Sequence, residues 1–311
     1  MSIKGSSSGL NIKSVFLIFS VATVLATAIR VIQTYTIIEA DTGFYSKYNA
    51  TVWLLYAILI MAGIAIFAVP YLVKKIPQSR LPESKNIPLA VFSVLTAVTL
   101  VIDMFDSFEK FSNVFSAYTP TEQQTMASYM MKTGGAPLVL ESICAVLSAV
   151  YFLILAIKYF GVKLDTVKFK LLAVCPVFWA TGRIVQRFTR TISFINVSDL
   201  LLELFMLAFL MLFLLNLAQV NSNINSRAVM DKVYSYGLIS AMLEIVISVP
   251  KVIVAIITPE LNSAGNPLEL CNIALAVFTV LLLVAMLKIP LNDNITLKQA
   301  EKEAKEKQSE E

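Results

Sequence analysis

The stretch RVIQTYT at positions 30–36 closes a long apolar segment, and RIVQRFT at positions 183–189 repeats its pattern 153 residues later. Arg, Gln and Thr recur at identical spacing, which places the three side chains on one side of a helix. An arginine inside an apolar segment is costly in a bilayer, so two arginines at matching places need a reason. The two stretches therefore indicate a membrane protein with an internal repeat.

Composition indicates the same class of protein. Of the 311 residues, 57% are apolar and 15% are charged, and the mean hydropathy is +0.75. A soluble domain is usually about 45–50% apolar and about 25% charged. The chain is therefore expected to be a polytopic membrane protein with little soluble mass. Its net charge of +4 is too small and too dispersed to indicate nucleic-acid binding.

Eight apolar segments follow one another along the chain. Each has about 20 residues, which is enough for a helix to cross a hydrocarbon core of about 30 Å. Backbone polar groups cannot stay unpaired in lipid, so these segments should be helices. The sequence thus predicts an all-α membrane protein with eight transmembrane helices. The segments lie at roughly 14–37, 51–73, 88–108, 136–158, 168–188, 198–218, 233–257 and 267–288.

Two further patterns support a tandem repeat. The third and seventh segments share a stripe of small, small, acidic, Ser and Lys residues at spacings of 3, 4, 4 and 3. These are Thr96, Thr99, Asp103, Ser107 and Lys110, and Gly237, Ser240, Glu244, Ser248 and Lys251. The fourth and eighth segments share Gly, Pro and Lys positions, namely Gly135, Pro137 and Lys158, and Gly265, Pro267 and Lys288. Two tandem four-helix repeats would have the same topology, because four is an even number of crossings. A pseudo-twofold axis along the membrane normal should relate them.

The repeats divide the chain into four parts. Residues 1–12 form a cytoplasmic N-terminal segment, 13–160 the first repeat, 161–290 the second repeat, and 291–311 a charged cytoplasmic tail. A possible cleavage site at Ala26-Thr27-Ala28 is expected to stay uncut, because the segment that contains it matches a later helix. A short helix is expected within 121–132, in the longest external loop, which starts at about residue 109.

Basic residues predict the orientation. Of the 25 Lys and Arg residues, 17 flank the segments on one side and 6 on the other. Positively charged flanks stay in the cytoplasm. Both termini are therefore expected there, with the protein in the cytoplasmic (plasma) membrane.

Helical rise places the ionisable groups of the spans in the outer half. Arg30, Arg183, Asp103 and Glu244 lie about 16–25 Å past the inner ends of their segments at 1.5 Å per residue. Groups of both signs at one level predict a polar vestibule between the repeats, open outward and closed below by apolar packing. The residues expected to bind a ligand there are Arg30, Gln33, Asp103, Ser107, Arg183, Gln186, Glu203, Glu244, Ser248 and Lys251.

Each of these charges has a structural alternative. Arg30 and Arg183 either bind an oxyanion through the planar guanidinium or have a structural role, in which they snorkel to the outer interface or clamp a neighbouring helix through a carboxylate. Asp103 and Glu244 either form interhelical ion pairs or carry a coupled proton or cation. The sequence leaves both alternatives open.

Motif searches exclude several activities. The chain has no GxxxxGK[ST], no GxSxG and no histidine, so it offers neither an ATP-binding loop nor an HExxH metal site. Cys144, Cys175 and Cys271 lie far apart in apolar segments and are expected to pack. No catalytic residue, metal or cofactor is therefore predicted, and an intramembrane enzyme is the least favoured class, because a convincing nucleophile and base are lacking.

Two functions are favoured over an enzyme. The first is binding or transport of a small polar or anionic solute through the vestibule. The alternative is a structural or accessory membrane subunit whose buried ion pairs only fix helix packing. The expected partners are the lipid bilayer, a small polar solute and a protein that contacts the cytoplasmic tail, with no nucleic acid.

Overall fold

The computed structural model describes most of the membrane part of the chain. The residues it describes are 12–38, 45, 50–72, 82, 85–119, 125–162, 164, 166–189, 197–222, 227–257 and 270–287. The predicted charged tail at 291–311 and nearly all of the predicted N-terminal segment lie outside these residues.

The described residues are helical, with one isolated bridge between Ile38 and Tyr45. Short 3-10 turns at Thr166–Phe169 and Leu172–Val174 precede the sixth helix. The helices are α1 (Ile12–Thr36), α2 (Ala50–Leu72), α3 (Ile87–Ser116), α4 (Met126–Lys132), α5 (Gly135–Tyr159), α6 (Cys175–Thr189), α7 (Val197–Asn221), α8 (Arg227–Ile257) and α9 (Leu270–Leu287).

Among the described residues, seven helices are long and apolar enough to cross a membrane. They are α1, α2, α3, α5, α7, α8 and α9, so the all-helical membrane class is confirmed. The eighth predicted crossing is not confirmed, because α6 has 15 residues and spans about 22 Å at the standard rise. Pro176 in its first turn lacks an N–H and would clash with a preceding helical turn, which explains why the helix starts only at Cys175.

Local sequence signals explain two helix starts. The Asn86 side chain accepts a hydrogen bond from the Leu89 N–H and caps α3, which then continues to Ser116, beyond the predicted start of the external loop. Thr125 caps α4 in the same way through Ser128. The short helix predicted within 121–132 is thus present at Met126–Lys132, while residues 121–124 lie outside the described part.

Six helices pack as a closed ring in the order α3, α5, α6, α7, α8 and α9, with α9 returning to α3. Helices α1 and α2 pack against each other and against α8, outside this ring. The counterparts of α1 and α2 in the predicted repeat are α6 and α7, which lie within the ring. This difference leaves the pseudo-twofold repeat unconfirmed.

Neighbouring helices in the ring run antiparallel. On α5 and α6, Gly134 lies beside Thr189 and Glu141 beside Gly182, so residue numbers rise along one helix as they fall along the other. The end where α3, α6 and α8 finish and α5, α7 and α9 begin is called the polar end.

Away from the polar end most of the buried side chains in the ring are apolar. Phe152 of α5 and Phe278 of α9 meet edge to face with ring centroids 5.1 Å apart. Phe213 of α7 packs against Gly237 of α8, where an added Cβ would come within 2.9 Å of the aromatic ring. This packing closes the bundle beneath the polar end.

Candidate functional site

All six helices of the ring contribute a charged or amide side chain near the polar end, and α8 adds the hydroxyl group of Ser248. We call these residues the polar cluster. They are Asp103, Asp106 and Lys110 of α3, Glu141 of α5, Arg183, Gln186 and Arg187 of α6, Glu203 of α7, Glu244, Ser248 and Lys251 of α8, and Asn272 of α9.

Arg183 lies at the centre of the polar cluster. Its Nε is 3.7 Å from Glu141 Oε1, and its Nη1 is 4.0 Å from Asp103 Oδ1. The same Nη1 donates to Asn272 Oδ1 at 3.4 Å. The side chain is only 5% exposed, so these interactions operate with little screening by water. Arg183 thereby links α6 to α3, α5 and α9.

Gly182 allows this close approach. A Cβ at position 182 would lie 3.3 Å from the backbone nitrogen of Glu141 and 3.4 Å from its Cα. Because backbone atoms cannot rotate aside, a larger residue would push α5 and α6 apart. The Gly-Arg dipeptide therefore brings the guanidinium of Arg183 against α5.

Trp179 orients both Arg183 and Asp103. It precedes Arg183 by one helical turn, so the two side chains share a face of α6. The guanidinium carbon of Arg183 lies 5.3 Å from the indole centroid, a cation–π distance. The indole Nε1–H donates to Asp103 Oδ2 at 2.9 Å. One buried aromatic residue thus fixes a cation and an anion together.

Glu203 organises a second group of charges. Its Oε2 lies 3.2 Å from Arg187 Nε, and its Oε1 accepts from Lys251 Nζ at 2.9 Å. These contacts join α6, α7 and α8. A third pair, Lys110 with Asp106, lies within α3 and is more exposed.

A cavity of about 180 Å³ opens between α3, α5, α6 and the start of α9. Its lining contains three carboxylates and three cations, together with one amide. A water molecule in the liquid occupies about 30 Å³, so the volume corresponds to about six waters. The lining residues are Thr99, Ile102, Asp103, Asp106, Lys110, Glu141, Arg183, Gln186, Arg187, Leu270 and Cys271.

Glu244 lies behind this cavity and is fully buried. Neither of its carboxyl oxygens has a hydrogen-bond partner among the described residues, and the hydroxyl of Ser248, one turn later, has none there either. Arg183 and Cys271 are close enough to interact with its carboxyl electrostatically. A carboxyl group in such surroundings is costly to bury, which marks this position as unusual.

Arg30 and Gln33 occupy a different place from the other predicted site residues. Arg30 Nη1 donates to the Tyr45 hydroxyl at 2.6 Å and to Gln33 Oε1 at 3.3 Å. Gln33 Nε2 donates to the carbonyl of Thr51, at the start of α2. These contacts tie α1 to α2, so Arg30 and Arg183 have different partners.

The remaining predicted residues are brought together. Asp103, Arg183 and Gln186 line the cavity, and Ser107 faces the carboxyl of Glu141. Glu203 and Glu244 interact with the lining residues Arg187 and Arg183 from α7 and α8, and Ser248 and Lys251 lie on α8 one and two turns after Glu244. The predicted set omitted residues that the structure places in or beside the cavity. These are Thr99, Asp106, Lys110, Glu141, Trp179, Arg187, Cys271 and Asn272.

Signals for some of the omitted residues exist in the sequence. Glu141 and Arg187 are ionisable groups near the same ends of their segments as the predicted residues. Trp179 lies one turn from Arg183, where a helical wheel places it on the same face. Asn272 and Cys271 have no such signal, because their position depends on how α9 packs against α3.

A second cavity, of about 700 Å³, lies between α2, α7 and α8. Its lining is apolar, with Gly63, Phe67 and Phe205 among the residues that form it. Such a groove suits hydrocarbon chains and offers nothing to orient a polar solute. The polar cluster is therefore the candidate site for a polar ligand.

The chemistry of the polar cluster is ionic and hydrogen-bonding. Within the described ranges, no group of three or more His, Cys, Asp or Glu side chains is placed to hold a metal ion. The three cysteines are free thiols. No family model, no curated protein and no solved structure matches this chain. The helices identify an integral membrane protein, and its function must be argued from the polar cluster.

Proposed function

We propose that this membrane protein binds a small polar solute in the cavity at the polar end and that this site serves transport. The cavity itself carries the proposal. It is lined by charged side chains of α3, α5 and α6, of which α3 and α5 are long and apolar enough to cross a membrane, and an apolar core lies beneath it. Ionisable groups at such depth usually face one another or a water-filled path used by a solute.

The polar end is proposed to face the outside. The excess of basic residues on the opposite flanks supports this orientation, as well as cytoplasmic termini and a cytoplasmic membrane location. A solute would then enter from outside, and transport would require the apolar packing near Phe152 and Phe278 to open.

The two four-helix repeats remain part of the proposal. Asp103 of α3 and Glu244 of α8 occupy matching places in the sequence stripes. Both interact electrostatically with Arg183 and with Cys271. Convergence of matched acidic residues on one site is what a pseudo-twofold arrangement would produce, and α6 would then cross the membrane as a short helix.

A net anion fits the cavity less well than a neutral polar solute. Each of the lining guanidiniums has a carboxylate within 4.0 Å, so the cations are already balanced by acids. An added anion would meet Asp103 and Glu141 as well as Arg183. We therefore favour a polar solute without net charge over the anionic class.

The test uses the purified full-length protein in detergent. A panel of small polar solutes should raise the thermal unfolding midpoint of the wild type. Arg183→Lys keeps the charge but not the planar fork, so it should remain folded and lose this stabilisation. Arg30→Lys is the matched control and should keep it, because Arg30 lies away from the cavity. If no solute stabilises the wild type while the protein stays folded, the solute-binding function is wrong.

A structural or accessory role is the second candidate, and specific contacts favour it. Arg183 joins α6 to α3, α5 and α9, and Glu203 joins α6, α7 and α8. Ion pairs with such partners could serve helix packing alone, with a protein bound at the cytoplasmic tail. In that case Arg187→Glu and Glu203→Arg should each abolish folded yield, and the double exchange should restore it.

A further inference from the structure

We propose that the ligand of the cavity is a small zwitterion carrying one ammonium and one carboxylate, of the size of a small amino acid. This inference rests on the proposed solute-binding function and specifies its substrate class. It follows from the arrangement of charge, the volume and the geometry of the ion pairs.

The charges of the two signs come from different walls of the cavity, apart from the pair of Lys110 and Asp106 within α3. The carboxylates of Asp103 and Glu141 belong to α3 and α5, whereas the guanidiniums of Arg183 and Arg187 belong to α6. A solute with only a carboxylate would place it beside Asp103 and Glu141 as well as Arg183. A solute with both charges can direct each toward the opposite sign, so the cavity favours a dipolar ligand.

The volume limits the ligand to a few heavy atoms. Ligand pockets for drug-sized molecules enclose about 300–1,000 Å³. The cavity has about 180 Å³. A nucleotide, a disaccharide or a peptide is too large for it, whereas alanine is of suitable size.

One carboxyl oxygen in the cavity lacks the hydrogen-bond partner that such a ligand would bring. Arg183 Nε lies 3.7 Å from Glu141 Oε1, so the guanidinium approaches one of the two oxygens of that carboxyl group. Glu141 Oε2 is buried and has no hydrogen-bond partner among the described residues.

A zwitterion would place its two charges beside Glu141 and Arg183. Its ammonium can donate to Glu141 Oε2, which is the partner that this oxygen lacks. Its carboxylate can approach the Arg183 guanidinium, which lies over the indole ring of Trp179.

Three probes of matched size test the class directly. Alanine carries both charges, propionate only the carboxylate, and ethylammonium only the ammonium. Binding to the full-length protein in detergent is measured by titration calorimetry at constant ionic strength, with glycine and serine as further zwitterions. Alanine or another zwitterion should bind at least about tenfold more tightly than propionate or ethylammonium, a factor that corresponds to about 1.4 kcal/mol.

Three variants locate the site. Glu141→Gln removes the ammonium partner and Arg183→Lys the bidentate carboxylate partner, so each should weaken zwitterion binding at least about tenfold. Thr99→Leu adds bulk to the lining without changing any charge, and it should block binding in a protein whose ion pairs are intact. This variant keeps the inference testable if a charge substitution prevents folding.

The outcomes separate the inference from the function on which it rests. If propionate or ethylammonium binds as tightly as the zwitterions, and Thr99→Leu blocks that binding, the cavity is a solute site but not for zwitterions. If the folded wild type binds no solute of any charge class, both the inference and the proposed function fail. Zwitterion binding that Thr99→Leu leaves unchanged would also overturn the assignment to this cavity.

Discussion

The indole of Trp179 holds the two opposite charges of Asp103 and Arg183 at once, through a 2.9 Å hydrogen bond to the first and a cation–π contact with the second. Trp179→Phe keeps an aromatic ring but removes the N–H. It should lower the free energy of unfolding by about 2 kcal/mol, because hydrogen bonds to charged groups contribute about 1.5–3 kcal/mol. The measurement is denaturant unfolding in detergent.

Trp53→Phe is the control for that experiment. Trp53 is 70% exposed on α2, whereas Trp179 is 1% exposed. The Trp53→Phe substitution should change the unfolding free energy by less than about 0.5 kcal/mol. Equal effects of the two substitutions would contradict the role assigned to Trp179.

Glu203→Gln should destabilise the bundle strongly. It removes the carboxylate that contacts both Arg187 and Lys251, and these side chains are mostly buried. Removal of one partner from a buried ion pair costs about 3–5 kcal/mol, because the remaining charge loses its compensation. Lys110→Gln provides the comparison: its pair with Asp106 is 31% and 44% exposed, and such pairs contribute at most about 1 kcal/mol. A larger loss for Lys110→Gln than for Glu203→Gln would show that burial does not decide these energies.

Glu244→Gln should stabilise the protein or leave it unchanged. Both oxygens of Glu244 are buried without a hydrogen-bond partner among the described residues, and an unsatisfied buried group costs about 1–3 kcal/mol. A neutral amide of the same shape reduces that cost. The measurement is the thermal unfolding midpoint of the wild type and of Glu244→Gln in the same detergent. Marked destabilisation would mean that the interaction of Glu244 with Arg183 is essential for the fold.

Gly182→Ala should separate α5 from α6. The new Cβ would lie 3.3 Å from the Glu141 nitrogen, and overpacking of this kind usually costs about 1–3 kcal/mol. Gly63→Ala is the matched control, because a Cβ there meets nothing within 4 Å. The control should gain up to about 1 kcal/mol from the higher helix propensity of alanine. Destabilisation by Gly63→Ala, or none by Gly182→Ala, would contradict this account.

The class of the fold could be predicted from apolar segments, because a bilayer demands helices of known length. The length of α6 could not be predicted as easily, since Lys168 and Lys170 precede an apolar run that Pro176 prevents from forming a single helix. The sequence predicts even less well which helices pack against one another. Helical rise placed Arg30 and Arg183 at comparable depth, but depth does not say which helix faces which.

The candidate site could be predicted only in part, because depth does not say which helices face one another. Charge and depth group Asp103, Arg183 and Lys251, and the structure brings them into one cluster. The repeat adds Arg30 to this group, yet α1 packs outside the ring and Arg30 has Tyr45 as a partner. Cys271 lines the cavity because α9 closes the ring against α3, a relation that no local pattern records.

The burial of Trp179 also gives the protein an optical probe at its centre. The chain contains only two tryptophans, and Trp53 lies on the outer surface of α2. In a Trp53→Phe background, ultraviolet emission would come from a single indole that touches both Asp103 and Arg183. Its colour and intensity would follow any rearrangement of those charges, with no label attached.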